Sequence, residues 1–400
     1  MGLISQVGWV DFSSTDRDRV KQVLGQLNEP GTLDELGIGA LRDAFADRMF
    51  PGFSTIQTRA KYLITVPRMI RDYLLLSTSD QRRTKLDKYL RERENELARV
   101  LTKLHGESET GIIGSTKIDT GGVARLPSSV YWGALRVWGL VNTTVSLGQF
   151  QREIAVPEPV FGCVQQAEDD DPDGLRPLSR VKLDRFEPEW FENLSILLTR
   201  SESSFLIERL HMGPVNSFPT QFELHGLMNE ALDDSRHDFN LFAEWGQRQL
   251  AFSAAARNTL KMAAEFSELI YGAHLRFNCL LARRNERDDL VASHESSWQE
   301  WISTVQSNSR MLNNWLADTE ARLPRRTTIF LQKWISEVGE SKQVDLLDQL
   351  VKEQAEWNKG ERTLLKKRLP PDYTWIGMGR LNYRWSNVRT ILKDIQIGLA

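Results

Sequence analysis

A dense group of hydrogen-bonding side chains follows the turn signal Pro51-Gly52. It has the sequence Ser54-Thr55-Ile56-Gln57-Thr58-Arg59-Ala60-Lys61 and opens a predicted helix that starts near Ile56. Hydroxyl, amide and guanidinium groups at a helix N-terminus can reach base edges and phosphates. Because residues 33–50 also have helical periodicity, the two helices and their turn predict a helix-turn-helix-like unit.

The same segment has a structural interpretation. Ser54 or Thr55 would cap the second helix, since short hydroxyl side chains accept hydrogen bonds from the first free N–H groups of a helix. Arg59 and Lys61 would then lie on a solvated face or pair with acids of the preceding helix. The turn is loose for a helix-turn-helix motif, so both interpretations stay open.

Charge segregation favours a phosphate-binding surface, although the chain as a whole has a formal net charge of -3. Residues 55–105 contain twelve Lys and Arg against six Asp and Glu, and residues 358–400 contain nine against three. Such basic segments can bind phosphate; they could equally face acidic parts of the same protein, such as residues 168–173.

We expect residues 54–61 and 82–93 to lie on one side of the N-terminal domain. If any side of the protein contacts nucleic acid, we predict that it is this one. The predicted contact residues are Thr55, Gln57, Thr58, Arg59, Lys61, Arg82, Arg83, Lys85 and Lys88.

No local pattern predicts a catalytic, metal or cofactor site. The six histidines do not stand in His-Glu-x-x-His or His-x-His spacing. The glycine-rich stretch after His105 lacks the Gly-Lys-Ser/Thr ending of a phosphate loop, and no Gly-x-Ser-x-Gly elbow occurs. We therefore predict a protein without catalytic residues, bound metal or cofactor.

A dispersed acidic site is the alternative. Carboxylates that the fold brings together can hold Mg²⁺ without a local sequence signature, as in metal-dependent hydrolases and nucleases. Asp11, Asp43 and Asp47 are the first residues to consider. Equally, Asp11 could cap a helix, while Asp43 and Asp47 could pair with neighbouring arginine or lysine side chains.

The candidate binding residues and acids lie in a chain whose predicted secondary structure is mainly α-helical. The sequence predicts two helical domains, at 1–164 and 178–400, joined by an acidic linker at 165–177. Extended segments are minor, such as Val7–Phe12. Residues 79–104 predict one long charged helix with a thin apolar stripe.

Twelve tryptophans are many for 400 residues, and five of them fall on successive predicted helices of the second domain. Spacings of three and fourteen residues return to nearly one helical face, so we interpret them as a shared buried seam. They are Trp298, Trp301, Trp315, Trp334 and Trp357.

Neither a secretory signal nor a membrane span is predicted. The first fourteen residues lack a basic start and a continuous apolar run. The most apolar stretch, 266–282, is interrupted by charged residues that a bilayer penalises. The two cysteines, Cys163 and Cys279, form no disulfide framework. We expect a cytoplasmic protein.

Several motifs strongly resemble an uncharacterised bacterial family, catalogued as domain of unknown function 6361. They begin with Gly8-Trp9-Val10-Asp11-Phe12-Ser13 and continue through the segments around residues 35–47 and 50–60. Later matches are Leu126-Pro127-Ser128-Ser129-Val130-Tyr131-Trp132 and Arg380-Leu381-Asn382-Tyr383-Arg384-Trp385. The resemblance covers nearly the whole chain except for about residues 140–220.

The resemblance implies a context rather than a mechanism. Members of this family look like components of bacterial mobile or defence gene neighbourhoods, near helicase-like and nuclease-like genes. We therefore expect a non-enzymatic accessory or scaffold subunit of an anti-phage defence or DNA-processing complex. Its partners would be proteins from the same operon, with DNA as a further ligand and no membrane contact.

Overall fold

The computed structural model describes residues 33–106, 111–115, 122–123, 125–155, 180–183, 189–192, 194–305, 311–340 and 343–400. Several features named in the sequence analysis lie outside these residues. They are Asp11, Cys163, the extended segment Val7–Phe12, and the predicted linker 165–177 with its acidic run 168–173. The boundary that we predicted between two sequential domains at this linker therefore stays a prediction.

The chain is mainly α-helical, as the sequence predicts. The described residues contain sixteen α-helices and no β-strand, apart from one isolated bridge between Val141 and Val181. In chain order the helices are α1 (Gly39–Met49), α2 (Tyr62–Leu74), α3 (Thr78–Arg83), α4 (Leu86–His105), α5 (Pro127–Val137), α6 (Leu147–Ile154), α7 (Arg200–His211), α8 (Phe218–Leu224), α9 (Met228–Ala231), α10 (Phe239–Arg248), α11 (Ala254–Arg284), α12 (Asp288–Thr304), α13 (Met311–Thr319), α14 (Arg325–Glu340), α15 (Val344–Lys359) and α16 (Trp385–Leu399).

The chain divides into two compact units, each built from segments that are distant in sequence. Among the described residues, the first unit combines 33–44 with Met262–Leu381. The second unit combines Phe45–Lys261 with Asn382–Ala400, so that the C-terminal helix α16 belongs with α2 to α10.

Tryptophans fill the core of the first unit. Trp298, Trp301, Trp315 and Trp334 are buried, and the rings of Trp298 and Trp301 lie 4.9 Å apart. The rings of Trp298, Trp301 and Trp334 contact one another, as a shared seam requires. Trp315 lies on the separate helix α13 and packs on Phe266, so the fourteen-residue spacing does not describe one helical face. The fifth, Trp357, is 38% exposed and lies outside the core.

A buried ion-pair network stands beside these tryptophans. The Arg276 side chain is fully buried and donates to Asp348 and Glu295, while its guanidinium lies 5.1 Å from the Trp298 ring. Arg283 contacts the same two carboxylates. Each buried charge thus has an opposite charge within reach, as buried ions require.

An aromatic cluster forms much of the core of the second unit. Trp385, the first residue of α16, stacks on Phe242 of α10 with ring centroids 4.1 Å apart. Phe50, Phe218 and Phe222 surround the same pair. Burial of several large rings at one point fixes α16 against the helices that precede it by more than a hundred residues.

Two helix boundaries differ from those that the sequence predicts. The helix expected to start near Ile56 begins at Tyr62, and the long helix expected over 79–104 is divided into α3 and α4. The division occurs at Thr84 and Lys85, whose backbone is extended. Ser77 caps α3 by accepting a hydrogen bond from the Asp80 N–H.

No helix among the described residues combines the length and the apolar character that are needed to cross a bilayer.

Candidate nucleic-acid interface

The residues predicted to contact nucleic acid fall into two groups in the structure. Gln57, Arg59 and Lys61 are buried. Thr58 is half-buried, whereas Thr55 is exposed at the surface, as are four residues of the following helices: Arg82, Arg83, Lys85 and Lys88.

Arg59 is held by a carboxylate near the C-terminus of the chain. Its Nε lies 2.9 Å from Oδ2 of Asp394 on α16, and both side chains are 10% exposed. The same oxygen accepts a hydrogen bond from the Ala60 N–H at 2.9 Å. Because the guanidinium and a backbone N–H share one carboxylate, this contact fixes both the side chain and the chain direction at residue 59.

Lys61 is held by a carboxylate of α7. Its Nζ lies 2.7 Å from Oε2 of Glu202, and Nη1 of Arg68 lies 3.0 Å from Oε1 of the same residue. Glu202 also closes the capping box of α7 with Thr199. One buried carboxylate therefore pairs with two buried cations and caps a helix.

Tertiary hydrogen bonds explain why residues 54–61 are not helical. The Tyr131 hydroxyl accepts hydrogen bonds from the Thr58 and Arg59 N–H groups and donates to the Arg59 carbonyl. The Thr58 hydroxyl donates to the carbonyl of Gly111 at 2.7 Å. Because these backbone groups are paired with distant partners, the segment does not need the hydrogen bonds of a helix to satisfy them.

Arg59 and Lys61 thus serve the core of the second unit. A side chain that is buried and paired in this way does not present its charge to a polyanion at the surface. Residues 54–61 consequently do not form the recognition helix of a helix-turn-helix-like unit.

An exposed basic face remains on α3 and α4. Arg82, Arg83 and Lys85 lie at the junction of the two helices, and Lys88 lies on the first turns of α4. The α4 residues Leu86, Leu90, Leu97 and Leu101 are buried on the opposite side. The amphipathic pattern of α4 therefore directs its basic residues to solvent.

Three further residues of α4 extend this face, and the predicted set did not include them. Arg91, Arg99 and Lys103 are exposed. Residues 88, 99 and 103 are eleven and four positions apart, so they lie on nearly one side of a helix. Helical periodicity combined with charge would have identified them in the sequence. We define the basic face as Arg82, Arg83, Lys85, Lys88, Arg91, Arg99 and Lys103.

Ion pairs neutralise only part of the basic face. Arg83 pairs with Asp80 at 2.9 Å, and Lys88 lies 3.8 Å from Glu92. The other five residues of the face make no ion pair with another described residue, so their positive charge is directed to solvent. Surface pairs contribute little free energy and release their cation readily to a phosphate.

The inner side of α4 contains a buried acid. Both carboxylate oxygens of Glu94 accept hydrogen bonds from Ser128, one from its N–H and one from its hydroxyl. Burial raises the pKa of Glu94 to about 8. Since Ser128 belongs to α5, this contact orients α4 and with it the basic face.

Two of the three acids expected for a metal site, Asp43 and Asp47, are paired with arginines, and the third, Asp11, lies outside the described residues. Oδ1 of Asp43 lies 2.9 Å from Nη2 of Arg42, and Oδ1 of Asp47 lies 2.5 Å from Nη1 of Arg384. The described residues contain no group of three or more His, Cys, Asp or Glu side chains that could hold a metal ion.

Comparison with known proteins gives a family match. A family model described as a family of unknown function, DUF6361, matches residues 4–320. Neither a curated protein nor a solved structure matches the chain.

Proposed function

The chain belongs to the family of unknown function DUF6361, and from this premise we propose that it is a DNA-binding accessory subunit that contacts the phosphate backbone through the basic face. Seven exposed Lys and Arg between residues 82 and 103 stand against the exposed Asp87 and Glu92 and against Asp80 and Glu96, whose side chains are 41% and 47% exposed. This local excess of positive charge, in a chain whose formal net charge is -3, carries the proposal.

The dimensions of α4 suit a duplex. Lys88 and Lys103 are fifteen residues apart on one helix, which separates them by roughly 22 Å along its axis. That length corresponds to about six base-pair steps of 3.4 Å. Charges at this spacing can neutralise several phosphates in succession.

The proposed binding is independent of sequence. Phosphate contacts position a protein on DNA, whereas base-edge contacts in a groove specify the sequence. The basic face consists of long Lys and Arg side chains, and the amide of Gln57 is buried. We therefore expect affinity that depends strongly on salt and weakly on sequence.

We place this activity in a bacterial anti-phage defence or DNA-processing complex, whose helicase-like or nuclease-like partners come from the same operon. This part of the proposal rests on the family resemblance. Copurification from the native operon tests it. Recovery of the protein as a lone monomer, with its neighbours expressed, would contradict the proposed complex.

Charge reversal tests the DNA contact. We expect Arg82→Glu/Arg83→Glu/Lys85→Glu to abolish binding at low salt to both a duplex and a single strand, measured by fluorescence anisotropy. The matched control is Arg322→Glu/Arg325→Glu/Lys352→Glu, which changes the net charge equally at exposed residues elsewhere. Exposed substitutions usually change stability by no more than about 0.5 kcal/mol, so both variants should remain folded.

The salt dependence gives a second measurement. Each phosphate contact adds about 0.9 to the slope of log affinity against log salt concentration, so neutral substitution of Arg82, Arg83 and Lys85 should lower that slope by about 2.7. Equal binding by the charge-reversed variant and the wild type would refute the basic face. Absence of binding by the wild type would refute the DNA proposal itself.

A further inference from the structure

A second basic feature lies in the first unit, where the end of α11 meets the segment that follows Lys367. A cavity of about 170 Å³ opens there. Its lining includes Arg284, Arg287, Arg368 and Tyr373, and we call it the arginine cavity. One of these arginines, Arg368, belongs to the basic segment 358–400, which takes no part in the proposed DNA contact.

The cavity is positively charged. Three arginines and one acid, Glu286, line it. Arg284 and Arg368 are exposed and form no ion pair with any other described residue. Both arginines line the cavity and are free of ion pairs with the described acids, and a guanidinium fork matches the oxygens of a phosphate.

Arg287 fixes the wall of the cavity. It pairs through two nitrogens with the carboxylate of Asp289, at 2.8 Å and 2.6 Å. It also donates to the carbonyls of Pro371 and Tyr373. Because Asn285 accepts a hydrogen bond from the Leu369 N–H at 2.8 Å, the two sides of the cavity are tied together.

Tyr373 offers an additional donor. Its hydroxyl is buried, and no group among the described residues accepts or donates a hydrogen bond to it. A buried polar group without a partner is unfavourable, so a ligand that pairs with it is bound favourably. A phosphate oxygen would accept a hydrogen bond from this hydroxyl.

We propose that the arginine cavity binds a phosphate group, either as the free anion or as the monoester of a nucleotide. Pockets for drug-sized molecules measure about 300–1,000 Å³, so this smaller cavity suits the phosphate and leaves the rest of a nucleotide outside. A phosphate monoester carries nearly two negative charges at neutral pH, more than a backbone diester, and therefore gains more from paired arginines.

Isothermal titration calorimetry of the full chain with inorganic phosphate tests the proposal. We expect binding at concentrations up to about 10 mM, and loss of at least about tenfold in affinity, or ~1.4 kcal/mol, for Arg284→Ala/Arg368→Ala. Tyr373→Phe should weaken binding by a smaller factor, since it removes one donor. Arg322→Ala/Arg325→Ala is the matched control and should bind as the wild type does.

A gain of affinity is expected for Glu286→Gly. This residue has a φ of 58°, in the left-handed region that glycine adopts without strain, so the substitution keeps the turn and removes the single acid of the cavity lining. Stronger phosphate binding by Glu286→Gly together with weaker binding by the double alanine variant would support the site. Unchanged affinity in both would overturn it.

The source of the phosphate is decided by comparing inorganic phosphate, thymidine 5′-monophosphate and thymidine. Equal binding of the first two, and none of thymidine, indicates recognition of the phosphate alone. Tighter binding of the monophosphate indicates a nucleotide site. Failure of the wild type to bind either phosphate overturns the proposal, and it leaves the DNA contact of the second unit to its own test.

Discussion

The ammonium group of Lys61 lies 2.7 Å from the carboxylate of Glu202, although 141 positions separate the two residues in the sequence. Both side chains are buried, at 4% and 2% exposure. The pair joins the segment before α2 to the first turn of α7. A residue that the sequence placed at a DNA surface is thereby part of the core.

Removal of one member of this pair should strongly destabilise the second unit. We expect Glu202→Gln to lower the free energy of unfolding by about 3–5 kcal/mol, because the buried Lys61 and Arg68 would both lose their ion pair with Glu202. Lys61→Met should cost less, since Arg68 still balances Glu202. Urea unfolding followed by circular dichroism measures both changes.

The control for this prediction is the exposed pair Lys88 and Glu92, whose side chains are 65% and 60% exposed. Lys88→Met should change the free energy of unfolding by no more than about 0.5 kcal/mol. If Glu202→Gln had an effect as small as that of Lys88→Met, the buried network would not hold the fold.

Glu94 should make stability fall as the pH rises. Its carboxyl has a pKa of about 8 in the folded protein, raised by burial from an ordinary value of 4.5. The folded state therefore binds more protons than the unfolded state between these values. The stability that the Glu94 carboxyl contributes is therefore complete below about pH 4.5 and is lost as the pH rises through about 8.

The Glu94→Gln variant isolates this effect. The amide oxygen keeps an acceptor for the Ser128 N–H, the amide NH₂ can donate to the Ser128 hydroxyl oxygen, which then accepts instead of donating, and the amide does not titrate. We expect the wild type to lose up to a few kcal/mol relative to the variant across this range, since one pKa unit corresponds to about 1.4 kcal/mol. Parallel stability curves for the two proteins would show that Glu94 does not ionise with a raised pKa.

Gly272 should not tolerate a methyl group. An added Cβ would lie 2.1 Å from the Trp301 ring, whose Nε1 donates to the Glu268 carbonyl at 2.9 Å. We expect Gly272→Ala to lower the free energy of unfolding by about 1–3 kcal/mol, because the buried ring has no room to shift. Thermal unfolding of the wild type and the variant measures this difference.

We expect the opposite result when alanine replaces Gly133 of α5. It is exposed, and an added Cβ would meet only the Gly52 carbonyl oxygen at 3.9 Å. Gly133→Ala should therefore stabilise the protein by roughly 0.5–1 kcal/mol through helix propensity alone. A stabilising Gly272→Ala would contradict the close packing of Trp301.

The local sequence pattern was sufficient to predict the helices that have a clear apolar side. Of the stripe predicted along α4, Leu86, Leu90 and Leu97 are buried, whereas Leu104 is 57% exposed and the unpredicted Leu101 is buried in its place. Trp298 and Trp301, three apart on α12, follow from helical periodicity in the same way. The fourteen-residue spacing of Trp301 and Trp315 does not, because Trp315 lies on the separate helix α13.

Local pattern could not predict the ends of these helices or the partners of polar residues. Thr58 to Ala60 have sequence neighbours typical of a helix, yet Tyr131 and Asp394 hold their backbone in another conformation. The break at Lys85 likewise lies within a stretch whose composition favours a helix throughout. Distant contacts override propensities that amount to less than about 1 kcal/mol for each residue.

The mainly α-helical fold, the family resemblance and the concentration of positive charge at 55–105 and 358–400 can all be read from the sequence. Which of those charges reach solvent depends on the packing of the folded chain. Arg59 and Lys61 are buried against carboxylates at 394 and 202, while Arg82, Lys85 and Arg99 remain exposed. The reason is physical: helical periodicity depends on neighbours within a few residues, whereas an ion pair depends on which distant segments the core brings together.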